Sequence, residues 1–495
     1  MSSMSSEQNP QPVHFTRAMG LLDSTAVVVG SMIGSGIFIV TAEASRQLGS
    51  PGWVLLAWLL AGILTVVGAV CYSELSTMHP EAGGQYVFLR ESFGKLTAFL
   101  YGWTLFMVIQ GGTIAAVGVA FAKFLGVFAP YISKQNVLIS MGAWKFTALQ
   151  LVSMLVVILL TAINCQGIKT AKMIQTTFTV IKVTALFLLI VLGFLSFGKF
   201  AGIEANFSSF STCFSPVDLK GDPINGLKLL GVLSLAMVGP LFSSDAWNNL
   251  TFTGEEVKEP TKTLPRSLML GTALVCLLYF LANLVYMFLL PLKGTEGGAT
   301  VIARGIQFAA EDRVGTAAAQ IIFGPPGEFI MAAAIMISTF GALNGIILAG
   351  PRAYYAMAKD GLFFKKCGEL NVNTHVPTFG LIVQGVWSCL LCLSGTYSEL
   401  LEFVIFAALL FYILTVAGVF VLRKKNPNAV RPYKVPLYPF LPALYLVLAS
   451  VVMVGQICLS PKYSGGGLLV ILSGLPAFFL WQRAASKSKL SNIDG

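Results

Sequence analysis

Apolar runs of about 20 residues recur along this chain from Leu21 to Trp481, and nothing else in the sequence restricts it so strongly. Hydrocarbon offers the backbone no water, so a segment that crosses it must satisfy its own N–H and C=O groups. The runs therefore read as helices. About twelve spans are predicted, near 21–41, 53–73, 96–125, 148–166, 173–197, 228–250, 268–291, 326–350, 377–394, 398–422, 440–458 and 466–482. The chain is 56% hydrophobic and only 11% charged, which fits an all-α polytopic membrane protein and leaves no room for a second, soluble domain. One membrane domain is expected over 21–482, between an N-terminal tail at 1–20 and a C-terminal tail at 483–495.

Orientation follows from the basic residues. With the N-terminus inside, inner loops and tails hold about 20 of the Lys and Arg and outer loops about 11, with Lys182 alone inside a span. Both termini are thus expected in the cytoplasm, and the net charge of +10 is a topology signal, not a nucleic-acid signal. The first 20 residues are polar and lack the apolar core of a cleavable signal peptide. Two further stretches read as structured without spanning. Residues 76–95 suit a short helix or re-entrant piece at the inner face, and 301–321 an amphipathic helix over the outer vestibule. The tail after Ala484 reads as disordered.

The first span breaks itself. Gly30, Gly34 and Gly36 fall within seven positions, and glycine is a poor helix former. Unwound backbone at bilayer depth is tolerated only where it is buried in protein or lines a wet cavity. The amides of Ser35, Gly36 and Ile37 would then be free to bind an anion such as a carboxylate. Alternatively, small residues merely let two helices pack closely. The sixth span is interrupted as well. Gly239-Pro240 is a helix breaker, and Ser243-Ser244-Asp245 then brings polar groups and a carboxylate to bilayer depth. Paired interruptions in spans one and six suit a five-plus-five inverted repeat with spans eleven and twelve added, the pattern of a transporter with a midplane site.

These residues resemble a known family. Gly34-Ser35-Gly36-Ile37-Phe38, Pro80-Glu81-Ala82-Gly83-Gly84-Gln85-Tyr86, Phe242 through Asn248, Gly254-Glu255-Glu256 to Leu264-Pro265-Arg266, Thr339 through Gly345 and Arg431-Pro432-Tyr433-Lys434-Val435-Pro436 occur in family order over nearly the whole chain. The chain resembles the amino acid–polyamine–organocation superfamily, nearest its L-type amino acid transporters and their bacterial relatives. The resemblance implies a LeuT-like fold and alternating access. It implies a substrate carboxylate on the amides of Ser35 to Ile37, beside Gly34. It implies a substrate amine at carbonyls near Ile33 and near Phe242 and Ser243, with Phe242 as the ring that caps the site. Two departures stand out. The loop Gly126 to Lys145 lacks the cysteine that tethers a heavy chain in eukaryotic relatives, so no disulfide-linked heavy chain is expected and a bacterial-type plasma membrane protein is favoured. Asp245 replaces a glycine of several members and leaves side-chain selectivity open.

Lys182 stands alone in an apolar run. It either snorkels to an interface or points into the bundle. In the second case it meets carbonyls freed by the first break and hydroxyls such as Ser338 or Thr339. The resemblance matches it to the span-five lysine of the L-type family, where it would stand in for the sodium ion of other relatives. Strut and proton carrier both remain open. Glu255 and Glu256 are expected to pair with Lys258, Lys262 and Arg266 or to be solvated. Gln110 and Thr113 are candidates to line the pocket, and Trp247 and Asn248 to brace it. His14, His79 and His375 lie in loops, so neither a metal site nor a cofactor is expected. The cysteines are scattered, Cys389-x-x-Cys392 reads as helix packing, and no disulfide framework follows. An intramembrane enzyme would need a catalytic dyad that Asp245 has no partner to form. The expectation is a secondary transporter, exchanger or proton-coupled, for L-amino acids, neutral ones first. A cationic amino acid or polyamine permease, or a nutrient sensor on the same fold, are the alternatives.

Overall fold

The computed structural model describes residues 15–142, 144–393 and 397–491. Among these, ten helices are long and apolar enough to cross a membrane, from Pro51–Met78 to Pro461–Arg483. They match ten of the twelve expected spans, so the protein is a helical, multi-pass membrane protein. The other two are shorter. The first span is Leu21–Met32, a 3₁₀ turn Gly36–Phe38, and Thr41–Leu48. The ninth is the 15-residue helix Thr378–Cys392. The third span, Lys95–Phe128, carries a wide π turn at Leu105–Gln110.

The first span sits at the centre. Its lower helix packs against the seventh span, Pro260–Leu289, the fifth, Ile168–Leu195, and the eighth, Gly327–Lys359. A Cβ on Gly271 of the seventh span would lie 2.6 Å from a Val28 methyl, so this glycine allows the close approach of the two helices.

Four features add to the sequence expectations or change them. The loop after the third span contains an antiparallel hairpin, Val137–Met141 with Trp144–Thr147. Residues 301–321 form pieces and not one helix: Val301–Arg304, a turn at Ala310–Asp312, and Val314–Phe323. Glu311 and Asp312 take positive φ there (54° and 60°), which no continuous helix admits. The tail expected to be disordered after Ala484 continues the last helix to Ser491, while residues 492–495 and 1–14, with His14, lie outside the described residues. Residues 76–95 do form a turn and a short helix, Gln85–Phe93, docked under the sixth span by the Gly83 amide on the Phe252 carbonyl at 3.2 Å.

The fourth change concerns Glu256. Its partner is not a loop lysine but Arg352 of the eighth span, 2.8 Å away, with the two side chains 2% and 0% exposed. Glu255 instead accepts from the Ala82 amide at 3.1 Å, and Lys262 pairs with Glu259 at 3.0 Å. The Glu256 carbonyl receives the amides of Ala18 and Met19, and Lys258 donates to the Met19 carbonyl. The segment before the first span, the foot of the sixth span and the eighth span are thereby clasped together on the N-terminal face. Removing one member of a buried pair strands the other charge, at about 3–5 kcal/mol, whereas removing both avoids that cost. Arg352→Ala should therefore lower the melting temperature of detergent-purified protein sharply. The double variant with Glu256→Ala should recover much of the loss.

Candidate functional site

The first break opens after Met32. Ile33 leaves the helical region at ψ 94°, and the following residues to Val40 make only short turns. Helix carbonyls that lose their amide partners need other donors. Lys182, 2% exposed, provides them: Nζ donates to the carbonyls of Gly30, Ile33 (2.8 Å) and Ser338 (3.4 Å). The Ser338 hydroxyl donates to the carbonyls of Ile33 at 3.1 Å and Gly34 at 3.3 Å, and Tyr279 Oη to that of Met32 at 2.9 Å. Lysine and break thus meet as the sequence suggested, with one difference. Lys182 takes the Ser338 carbonyl and not its hydroxyl, and the Thr339 hydroxyl turns back to Ile335 of its own helix.

The second break lies further along than Gly239-Pro240. The helix interrupts only at Met237, resumes over Val238–Ser243, and is lost across residues 244–248 before Asn249–Phe252. Pro240 falls in the first turn of its segment, where amides lack helical partners, so its missing N–H costs little. The real rupture is at Ala246, whose φ of 63° is costly for a residue with a Cβ. Trp247 packs on Tyr72 and Tyr412, with ring centroids 4.7 and 5.6 Å apart, and Asn248 donates to Gln85 at 3.0 Å. These two residues brace the rupture.

The candidate residues divide into two groups. Ile33 to Ile37, Phe242 and Ser243 are buried against one another. A Cβ on Gly36 would come within 2.9 Å of Ser243 Cβ, so only glycine fits there. Asp245 bonds elsewhere. It lines two neighbouring cavities, each of about 340 Å³ of empty space, one with Thr65 and Tyr445 and the other with Gln110, Thr113 and Asn248. Tyr412 Oη donates to Asp245 Oδ1 at 2.5 Å, and among the described residues no basic side chain pairs with this carboxylate. Gln110 donates to the Ile346 carbonyl at 2.5 Å beside the π turn.

On the hairpin face, Arg46 in the last helix of the first span donates to Asp312 and to the Gln307 carbonyl, both at 2.7 Å. Lys123 donates to the Glu311 carbonyl at 2.6 Å. Charged contacts thus join the elements on both faces of the bundle. Tyr412, Tyr279, Arg352 and Arg46 escaped sequence reasoning. A tyrosine hydroxyl at bilayer depth, or an arginine near a span end, was the available signal, but nothing local names its distant partner. No cluster of three metal-ligating side chains is found among the described residues.

Comparison with known proteins gives the same direction. A family model described as amino acid permease matches residues 19–473. The large neutral amino acids transporter small subunit 2 of Mus musculus is 30% identical over 95% of this chain and 82% of its own length. The Asc-type amino acid transporter 1 of Mus musculus is 29% identical over 96% and 83%. The b(0,+)-type amino acid transporter 1 of Mus musculus is 28% identical over 94% and 88%. A matched model over most of the length, and relatives that cover it nearly end to end, join the two broken spans and their lysine clamp in one conclusion: this chain belongs to the amino acid permease family of the amino acid–polyamine–organocation superfamily, and is an amino acid transporter and not an enzyme.

Proposed function

We propose that this protein moves L-amino acids, neutral ones first, across a plasma membrane by alternating access, as an exchanger or proton-coupled permease with both termini in the cytoplasm. The observation that carries this reading is the pair of facing breaks. Amides of Ser35 to Ile37 suit an α-carboxylate, and carbonyls near Ile33 and near Phe242 and Ser243 suit an α-ammonium, so the breaks complement the part common to all amino acids. Substrate entry would part Gly36 from Ser243, with Phe242 covering the occupied site. The LeuT-like repeat is the architecture that this pairing supports, with spans one and six at corresponding positions. The large neutral amino acids transporter among its relatives supports the neutral class. The lack of cysteine in Gly126 to Lys145 supports a transporter without a tethered heavy chain.

Asp245 favours one second reading. A buried carboxylate that lines the cavities without a basic partner suits a substrate whose side chain is cationic. Competition for leucine counterflow separates the two. In the first reading arginine competes at least tenfold less well than neutral amino acids. In the second it competes equally, and Asp245→Asn removes that competition. Amines that lack the carboxyl group should fail to compete in either case.

Lys182 occupies the place of a coupling cation. Two unit charges ~6 Å apart repel by ~3 kcal/mol at an effective dielectric of about 20, which is more than a hundredfold against a sodium ion beside the ammonium. Uptake into proteoliposomes should be unchanged when choline replaces sodium. Lys182→Ala, which leaves the carbonyls of Gly30 and Ile33 without this donor, should lose at least nine-tenths of the rate. Gly36→Val should still insert in the membrane but show no counterflow, because its side chain fills the contact with Ser243. Normal transport by that variant would remove the first span from the site.

A further inference from the structure

A third cavity lies apart from the transport site, on the hairpin face. It offers about 530 Å³ of space, part of it open to solvent, between the pieces of the 301–323 segment and the start of the eighth span. Its polar lining is Arg304, Arg313, Thr316, Gln320 and Glu328. Three buried polar atoms there have no partner: Nε of Arg304, Nε of Arg313 and Oγ1 of Thr316, a residue only 5% exposed. Buried donors without acceptors are rare and costly. Among the described residues neither arginine forms an ion pair. Arg313 donates to the Lys123 carbonyl at 3.3 Å and lies over the Phe124 ring, but neither contact meets Nε. Burial holds the Arg313 guanidinium below its usual pKa, against the upward pull of Glu311 and Glu328. Glu328, the one carboxylate in the lining, accepts from Gln320 at 2.9 Å. The lining thus carries two positive charges against one negative, with three donors free.

We propose that this cavity binds a small oxyanion, a carboxylate above all, and that its occupation braces the closed hairpin face. A guanidinium presents paired N–H groups that match two oxygens of one anion, and the Thr316 hydroxyl supplies a further donor. The bracing follows from chain order. Arg304 and Arg313 flank the turn Ala310–Asp312, whose Asp312 holds Arg46 and whose Glu311 holds Lys123. An anion shared by the two arginines pins both ends of that turn, and with it the ion pairs that cover the first span. The proposal does not depend on which amino acid is carried.

The test uses the full chain in nanodiscs. Sodium acetate and sodium sulfate are each titrated against sodium chloride at fixed ionic strength. A saturable rise in melting temperature of about 2 °C or more is expected near ~100 times Kd. It should be lost in Arg304→Gln and, as a smaller change less able to perturb folding, in Thr316→Val. A response to acetate alone assigns the site to carboxylates, and a response to both salts to oxyanions at large; each supports the proposal. In proteoliposomes, a saturating external concentration of the anion that gave the rise should slow counterflow about twofold in the unmodified protein and leave Arg304→Gln unaffected. No saturable rise, or the same rise in all variants, means an adventitious ion only and overturns the site. Binding without any change in counterflow overturns the bracing.

Discussion

A helix broken inside a bilayer leaves carbonyls that nothing nearby can satisfy, and the structure depends on the lysine that answers them. Each orphaned carbonyl in hydrocarbon costs several kcal/mol on the order of an unmade buried hydrogen bond. Lys182 reaches from the fifth span to Gly30 and Ile33, and Ser338 reaches from the eighth to Ile33 and Gly34. Tyr279 reaches from the seventh to Met32. Three helices are thus tied to one unwound turn. Among the described residues no carboxylate pairs with Lys182, so carbonyl dipoles alone surround its ammonium. That arrangement allows the first span to stay open without collapsing the bundle.

The two faces of the bundle are held by unequal means. On the N-terminal face the closure contains a fully buried ion pair, Arg352 with Glu256, and backbone bonds to Ala18 and Met19. On the hairpin face the pairs are half-exposed: the side chains of Arg46 and Asp312 are 22% and 37% exposed. Exposed pairs contribute little, typically under about 1 kcal/mol, while a buried pair resists being parted because each charge would be stranded. The hairpin face is therefore the one that a small binding energy, such as an anion between Arg304 and Arg313, is able to bias.

Local chemistry made much of this legible. Three glycines in a hydrophobic run announce a break wherever they occur, and one lysine in an apolar run must find acceptors or leave the membrane. Position along an element decided the features that local chemistry leaves open. Gly239-Pro240 reads as a breaker, yet a proline in the first turn of a helix is tolerated, and the rupture moved to Ala246. The amphipathic stretch 301–321 has helical spacing, but Glu311 and Asp312 turn left-handed to deliver their charges to Lys123 and Arg46. Glu256 found its partner on another helix because the nearby lysines face solvent, where water serves them better than a buried carboxylate does.

The sequence by itself determined the membrane-spanning class, the approximate spans, the break in the first of them, the isolation of Lys182 and the family motifs. All of these follow from composition or from neighbours within a few residues. Tertiary structure alone decided the pairings. Tyr412 reaches Asp245 across 167 positions, Arg352 reaches Glu256 across 96, and Lys182 reaches Ile33 across 149. Helix packing chooses such partners, since a hydrogen bond is made only where two spans bring donor and acceptor within about 3 Å. For the same reason the cavity of Arg304 and Arg313 has no counterpart in the sequence. Its two guanidiniums become a site only once the folded turn between them leaves both, among the described residues, without an ion pair and with Nε unbonded.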